Sequence, residues 1–418
     1  MGKTIAEKIL SQHSGRDLVA GDIAVVDVDV VFAQDGTGPL AVSQLRKMNF
    51  SSVANPSKSI FFIDHAAPSP RKELSDSHKV LRSFASESGA ILSDINGGVC
   101  HQVVAEHYAC PGNIVIGADS HTCTAGALGA FATGMGSTDI AVGFALSKTW
   151  LMVPHTIKVN FEGIINKGVY AKDLIIYLIK KITADGATYR AIEFSGSLSN
   201  GLEMEERLTI SNMAVEAGAK AGIFATDAKT ADYLKKQQRG DCFREIFADN
   251  DAVYEQVINI DCRTIEPMIS KPHTVDNAVS VGKIGEVKID QVLIGTCTNG
   301  RLSDLRIAAG ILKNKKIAKN LRLIIVPASA DVYLDAIKEG LIEIFIKSGA
   351  TITNPGCGPC VGVHQGALAE GEVCLSTQNR NFKGRMGNPG GFIYLSSPAT
   401  AAWSAVKGYI SDPREALK

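Results

Sequence analysis

The chain has 418 residues, 43 basic and 43 acidic side chains, and 45% apolar residues. That length exceeds one ordinary core, so two or three domains are expected. The balanced charge, a pI near 7.1 and the lack of any Lys/Arg block argue against nucleic acid or an anionic membrane as the main partner. No stretch approaches the roughly eighteen uninterrupted apolar residues of a membrane helix, and the mixed-charge opening has no signal-peptide core.

Residues 21–35 alternate acidic and β-branched side chains, which predicts a strand with one wet face, broken at Gln34-Asp35-Gly36. Ser59–Ile63 reads as a buried strand running into Asp64-His65. Adjacent side chains on a strand point to opposite faces, so for Asp64 to serve His65 the pair must lie on the following turn. A solvated Asp-His pair at a strand end is the plain alternative. Gly97-Gly98 permits close backbone approach before a predicted helix headed by His101-Gln102, with His107 on its surface or in its packing. Asn113–Ile116 is another short strand, delivering Asp119-Ser120-His121. Three strands ending beside polar clusters suggest one rim of one sheet. The small-residue stretch from Gly126 to Asp139 lacks a GxGxxG, so tight helix packing is expected there rather than a nucleotide.

From residue 155 the character changes. Ile157–Phe161 reads as an edge strand, and Leu174, Ile175, Leu178, Ile179 and Ile182 recur at helical spacing as a core-facing stripe. Asn212 and Glu216, four apart, are expected on one helix face, the plain alternative being a capped helix with an exposed glutamate. The punctuated stretch 262–286 reads as a linker. Strands at 291–297, 323–326 and 350–353 then alternate with helices starting at the N-caps Ser303 and Ser329, which predicts a parallel sheet.

Cys297 in Thr296-Cys297-Thr298-Asn299, and Cys357 and Cys360 in a Gly/Pro-rich turn, fall at strand ends on the rim where ligands of open α/β sheets gather. Structural zinc takes four closed ligands, and electron-transfer clusters take four cysteines. Three thiols would leave one iron of a cubane open as a Lewis acid. A zinc reading needs a fourth ligand, and His364 is the only nearby offer. Cys100, Cys110, Cys123, Cys242, Cys262 and Cys374 read as small core residues, and nine cysteines without a leader suggest reduced thiols or metal ligands in a cytoplasm. Arg380 and Arg385, in a loop after residue 376, suit bidentate clamping of carboxylates.

Gln34-Asp35, Asp64-His65, His101-Gln102, Asp119 to Thr122, Asn212 to Glu216, Thr296 to Asn299, Cys357-Gly358-Pro359-Cys360, and Asn379 to Phe382 with Arg385 follow one another in order. Together they resemble the aconitase superfamily over nearly the whole chain, and within it the large subunits of two-subunit 3-isopropylmalate dehydratases. The resemblance implies an α/β fold of three aconitase-type domains (1–154, 155–275 and 276–418) with mainly parallel sheets around a shared iron–sulfur cleft, lacking the C-terminal swivel domain. It implies a [4Fe–4S] cluster with one open iron on Cys297, Cys357 and Cys360, contacted by Asn212 and Asn379. Gln34, Ser120, Arg380 and Arg385 would bind substrate. Three catalytic pairs are implied: Asp64 with His65, His101 with Glu216, and Asp119 with His121.

The implied activity is that of a hydro-lyase isomerising a 2-hydroxy acid by dehydration and rehydration, 2-isopropylmalate to 3-isopropylmalate in leucine biosynthesis, in the cytoplasm. A small swivel-domain subunit would supply the base serine and a further substrate arginine, which single-chain members carry in an additional C-terminal domain. Homoaconitase and dimethylmalate-type dehydratases stay open as alternatives, because the small subunit reads much of the substrate side chain. So does a cluster- or zinc-holding binding or sensing protein.

Overall fold

The computed structural model describes residues 2–417. Most strands come from short apolar runs buried on both faces, a pattern that calls for parallel pairing with helices packed above and below. β1 (Ile23–Asp27) is an exception, alternately exposed and buried, and it pairs antiparallel with β7 (Lys148–Met152) in a separate ribbon. The stretch 21–35 therefore splits in two, since β2 (Val30–Gln34) is buried throughout and enters the first sheet.

That sheet is parallel, in the order β4–β3–β2–β5–β6, with β3 at Ser59–Phe62, β4 at Ile91–Ser93, β5 at Ile114–Gly117 and β6 at Phe131–Gly134. Because β3, β2 and β5 are neighbours, their polar ends do share one rim.

The second sheet, also parallel, runs β10–β9–β8–β11, from β8 (Thr156–Glu162), β9 (Ala191–Ser195), β10 (Ala221–Phe224) and β11 (Gln256–Asp261). β8 is an inner strand rather than the expected edge, because β11 returns from far along the chain to cover its free side. The helix Ala171–Ile182 buries the expected stripe, with Leu174, Ile175, Leu178 and Ile179 fully enclosed.

The third sheet runs β13–β12–β18–β17–β14–β15–β16, from β12 (Met268–Ser270), β13 (Ala278–Ser280), β14 (Gln291–Gly295), β15 (Arg322–Val326), β16 (Thr351–Ile352), β17 (Val373–Ser376) and β18 (Phe392–Leu395). It is parallel from β18 to β16 and antiparallel at β12 and β13. The stretch 262–286 is thus not a linker: Met268, Ile269 and Ser270 are buried, and that burial draws the segment into the sheet despite its turn residues. We propose three units, one per large sheet, on the division given above; β12, ahead of residue 275, pairs into the third sheet. Ser329 caps the helix Ala330–Lys338 as expected, accepting from the Val332 amide at 3.3 Å. Ser303 does not cap. The helix Leu302–Leu312 starts one residue earlier, with the Asp304 carboxylate accepting from the Arg301 amide at 3.1 Å.

Cys100, Cys123, Cys262 and Cys374 are buried free thiols, as expected of core residues. Cys110 and Cys242 are not: both are half-buried and joined as a disulfide, where the loop after the helix Cys100–His107 meets the turn Gly240–Cys242. No helix among the described residues is long and apolar enough to cross a membrane.

The first and second sheets meet through glycine. The 3-10 segment Ser120–Leu128 lies against β10, and a Cβ on Gly126 would stand 2.0 Å from the Gly222 carbonyl oxygen. Gly126→Ala is expected to cost about 1–3 kcal/mol in urea unfolding. Gly201→Ala, with nothing within 4 Å of its Cβ, is expected to stay within about 0.5 kcal/mol of the parent.

Candidate active site

The first rim is built around short polar turns. Asp35, just past β2, accepts from the backbone amides of Asp64 (3.3 Å), His65 (2.8 Å) and Ala66 (2.9 Å), and lies 3.0 Å from His78 Nε2. This cap makes the turn that strand geometry required. On it His65 Nδ1 meets Asp64 Oδ1 at 2.8 Å. The other Asp64 oxygen accepts from the Cys100 amide at 2.7 Å, seating the helix Cys100–His107 that carries His101. The glycine before that helix allows the expected close approach: Gly98 has φ +118°, and a Cβ there would lie 2.5 Å from the Ser329 Cα.

Asp119, at the end of β5, is the meeting point. Its Oδ1 lies 2.9 Å from His101 Nε2 and accepts from the His121 amide at 2.9 Å. Its Oδ2 lies 3.4 Å from His65 Nε2 and 3.5 Å from Gln34 Nε2. Of the pairs implied by resemblance, Asp64 meets His65, and Asp119 Oδ1 keeps His121 Nδ1 at 3.4 Å, but His101 does not meet Glu216. His101 pairs with Asp119, and His121 Nε2 pairs with Glu216 Oε1 at 2.9 Å. The reason is local: the helix Met204–Met213 tightens into a 3-10 turn, Ala214–Ala217, so Glu216 leaves Asn212's helix face and reaches His121 instead. Glu216 is half-buried rather than exposed, with its side chain 8% accessible, and accepts from Arg380 Nε at 2.8 Å. Arg380 Nη1 lies 3.4 Å from Ser120 Oγ, which brings the loop after β17 onto the first rim.

The thiols face these groups from the third sheet. Cys297 follows β14 on a short helical turn, Thr296–Asn299, entered through Thr296 at φ +66°, a costly conformation for a β-branched residue. Cys357 donates its amide to the Asp64 carbonyl at 3.0 Å, so the two rims touch through backbone. All three sulfurs are buried. Asn379 Nδ2 donates to Cys297 Sγ and Arg385 Nη2 to Cys360 Sγ, each at 3.4 Å. Asn212 stands behind, its Oδ1 accepting from Asn379 Nδ2 at 3.2 Å and from Thr298 Oγ1 at 3.3 Å. Every expected site residue therefore joins one connected group.

The spacing of the sulfurs bears on whether one ion could bind all three. Among the described residues, the three Sγ atoms do not all lie within 4.8 Å of one another. One zinc with Zn–S bonds of about 2.3 Å needs them within roughly 4.6 Å. His364, the fourth ligand of the zinc reading, has its Nε2 on the His65 carbonyl at 2.9 Å and its Nδ1 unpartnered, but among the described residues it joins no group within 4.8 Å with two of these sulfurs. A wider group suits these thiols better. Asn379 Oδ1 and Arg385 Nε are buried and find no partner in the chain, leaving polar atoms for whatever fills the cleft.

Two buried cations escaped the sequence reading. Arg301 donates to Gln102 Oε1 (2.9 Å), Thr209 Oγ1 (3.1 Å), and the carbonyls of Thr298 (2.7 Å) and Cys297 (2.6 Å), locking the cysteine turn. Lys172 donates to the Thr377 and Gln378 carbonyls at 2.6 and 2.7 Å, fixing the approach to Asn379 and Arg380. A lysine beside a fully buried apolar stripe was the available signal.

Electrostatics separates the imidazoles. Burial opposes charge on His65, but the Cys357 sulfur, Asp64 and Asp119 outweigh it and hold its pKa well above the usual value. Burial wins at His101 and lowers it. Asp119 overcomes its own burial through His101, His121 and His65 and stays well below the carboxylate range, as Glu216 does more mildly through His121 and Arg380.

A parallel α/β architecture with a cleft of three thiols against three carboxylate-held imidazoles defines a class of metal-assisted enzymes. The chain belongs to the aconitase family (aconitate hydratase), whose model matches residues 7–286 and 282–408. Its relatives include the 3-isopropylmalate dehydratase large subunit of Elusimicrobium minutum, 65% identical over all of both chains. Large subunit 1 of Thermotoga maritima is 56% identical over 99% of each, and large subunit 2 of Archaeoglobus fulgidus is 55% identical over 100% of each. Among solved structures, Thermococcus kodakaraensis aconitase X shares the fold, with a TM-score of 0.50 at 14% identity over 92% of each chain.

Glu106 offers a pH test of this architecture. Burial, partly offset by Gln102 and Ser329, pushes its carboxyl from 4.5 up to about 7. The folded chain thus holds a proton that the unfolded chain loses across that window, and stability falls as pH rises through it. Glu106→Gln, measured with divalent cations chelated, is expected to match the parent below pH 4.5 and to gain on it toward pH 7. A gap that does not change with pH contradicts the assignment.

Proposed function

We propose that this chain is the cluster-holding large subunit of a two-subunit hydro-lyase that converts 2-isopropylmalate to 3-isopropylmalate in leucine biosynthesis. The names of its full-length relatives support the substrate and the two-subunit organisation. The observation that carries the chemistry is the meeting of three buried thiols with the Asp119-centred imidazoles.

In this reading Cys297, Cys357 and Cys360 hold a [4Fe–4S] cluster, with Asn379 and Arg385 donating to two of the sulfurs and Asn212 behind Asn379. When bound, the cluster supplies a Lewis acid through the iron that has no cysteine. His65, kept charged by Asp64 and Asp119, holds at Nε2 the proton that the departing hydroxyl needs, its Nδ1 being committed to Asp64. The positions of His101 and His121 are fixed by Asp119 and Glu216, and the Glu216–Arg380 pair aims the rest of the Arg380 fork at a substrate carboxylate. Arg385, with Nε unpartnered, takes a second carboxylate, and Gln34 and Ser120 complete the polar wall. The base serine and a further arginine are assigned to the small subunit. Seven free thiols against one disulfide, Cys110–Cys242, favour a reducing compartment on balance, and the cytoplasm is the proposed location.

The test is anaerobic reconstitution with iron and sulfide, followed by ultraviolet absorbance of the alkene product on isopropylmalate, homocitrate-type acids and dimethylmalate, with and without the small subunit. Turnover is expected only with the partner and fastest on isopropylmalate. Arg380→Lys is expected to lower kcat/KM by about 100-fold, since an ammonium cannot reproduce the fork. Turnover by the chain alone, or none on any acid with the partner present, overturns the reading.

A further inference from the structure

We infer that Glu106, His107 and Asp331 form a second metal site, separate from the thiols, for a divalent transition-metal cation. Glu106 and His107 end the helix Cys100–His107, and Asp331 lies in the first turn of the helix Ala330–Lys338. One ligand atom from each lies within 4.8 Å of the other two. His107 Nε2 is 4.0 Å from Glu106 Oε2 and 3.7 Å from Asp331 Oδ2. Those distances are too long for hydrogen bonds, which close by about 3.2 Å. They suit ligands that share one ion through bonds of roughly 2.0–2.2 Å.

Glu106 provides the independent observation. Its side chain is 3% exposed, and its Oε1 accepts from Gln102 Nε2 and Ser329 Oγ at 2.8 Å each. Its Oε2 is buried and has no partner at all. An unpartnered carboxyl oxygen in the interior is costly, and a cation held with His107 and Asp331 supplies the missing partner in place of a proton. Burial lowers the His107 pKa, so the ring is neutral and able to ligate. One imidazole and two carboxylates form a donor set for zinc or manganese. Access is open: Asp331 also lines a cleft of about 690 Å³ with Tyr233, whose buried hydroxyl is likewise unpartnered. The ion would clamp the helix that carries His101 to the helix capped by Ser329, across the seam where Gly98 meets Ser329.

The probe is Mn²⁺ added to the cluster-loaded complex, with free Mn²⁺ read from its EPR amplitude and thermal stability measured in parallel. One Mn²⁺ per chain and a rise in Tm are expected. His107→Ala and Asp331→Asn, both at exposed positions, should each weaken binding at least about tenfold and leave the iron content unchanged. Glu106→Gln should do the same; if it fails to fold, the two exposed variants decide. No uptake, or uptake that both exposed substitutions leave unchanged, overturns the site.

Discussion

The cleft depends on keeping one carboxylate charged in the interior. Asp119 sits half-buried at the rim of the first sheet, its side chain 15% exposed, where an unpaired charge would be costly. It is tolerable because His101, His121, His65 and Gln34 converge on its two oxygens. Those partners come from the ends of adjacent parallel strands and from the helix beside them. Only a sheet whose strands all finish on the same edge can deliver them together. Parallel topology is therefore the precondition of the charge cluster, and the cluster in turn sets the protonation of the imidazoles.

The third sheet brings the thiols to this cluster, and glycine permits the close passage between them. A Cβ on Gly356 would lie 2.8 Å from the Asp64 carbonyl oxygen, beside the amide of Cys357 that bonds to it. The cysteine turn is held from behind by Arg301, and the loop bearing Asn379 and Arg380 by Lys172 on the helix Ala171–Ile182. Lys172 is satisfied by backbone carbonyls, and Arg301 by carbonyls together with Gln102 and Thr209, so both fix loop geometry without neutralising the carboxylates at the centre.

Much of this was legible in the sequence because it rests on local pattern. The strand ends at Gln34, Asp64 and Asp119, the cysteine turns, and the cap at Ser329 follow from periodicity and turn chemistry. What escaped depends on contacts between distant segments. The meeting of Glu216 with His121 rather than His101 follows from a helix that tightens just before Glu216, a change of pitch that no spacing rule signals. β8 reads as an edge until β11 returns to cover it, and residues 262–286 read as a linker until burial recruits them as strands. The Cys110–Cys242 bond joins segments 132 residues apart. Lys172 and Arg301 look like ordinary surface charges unless their apolar or cysteine-bearing neighbours are weighed with them.

The central claim is that three cysteines leave one metal position to the substrate. Mössbauer spectra of the chain reconstituted with ⁵⁷Fe, recorded with the small subunit before and after adding 2-isopropylmalate, test it most directly. One iron of the cluster should be distinct and should change its parameters when substrate arrives, while the other three stay as they were. Four irons indifferent to substrate would contradict the account, as would a colourless protein carrying zinc at these thiols.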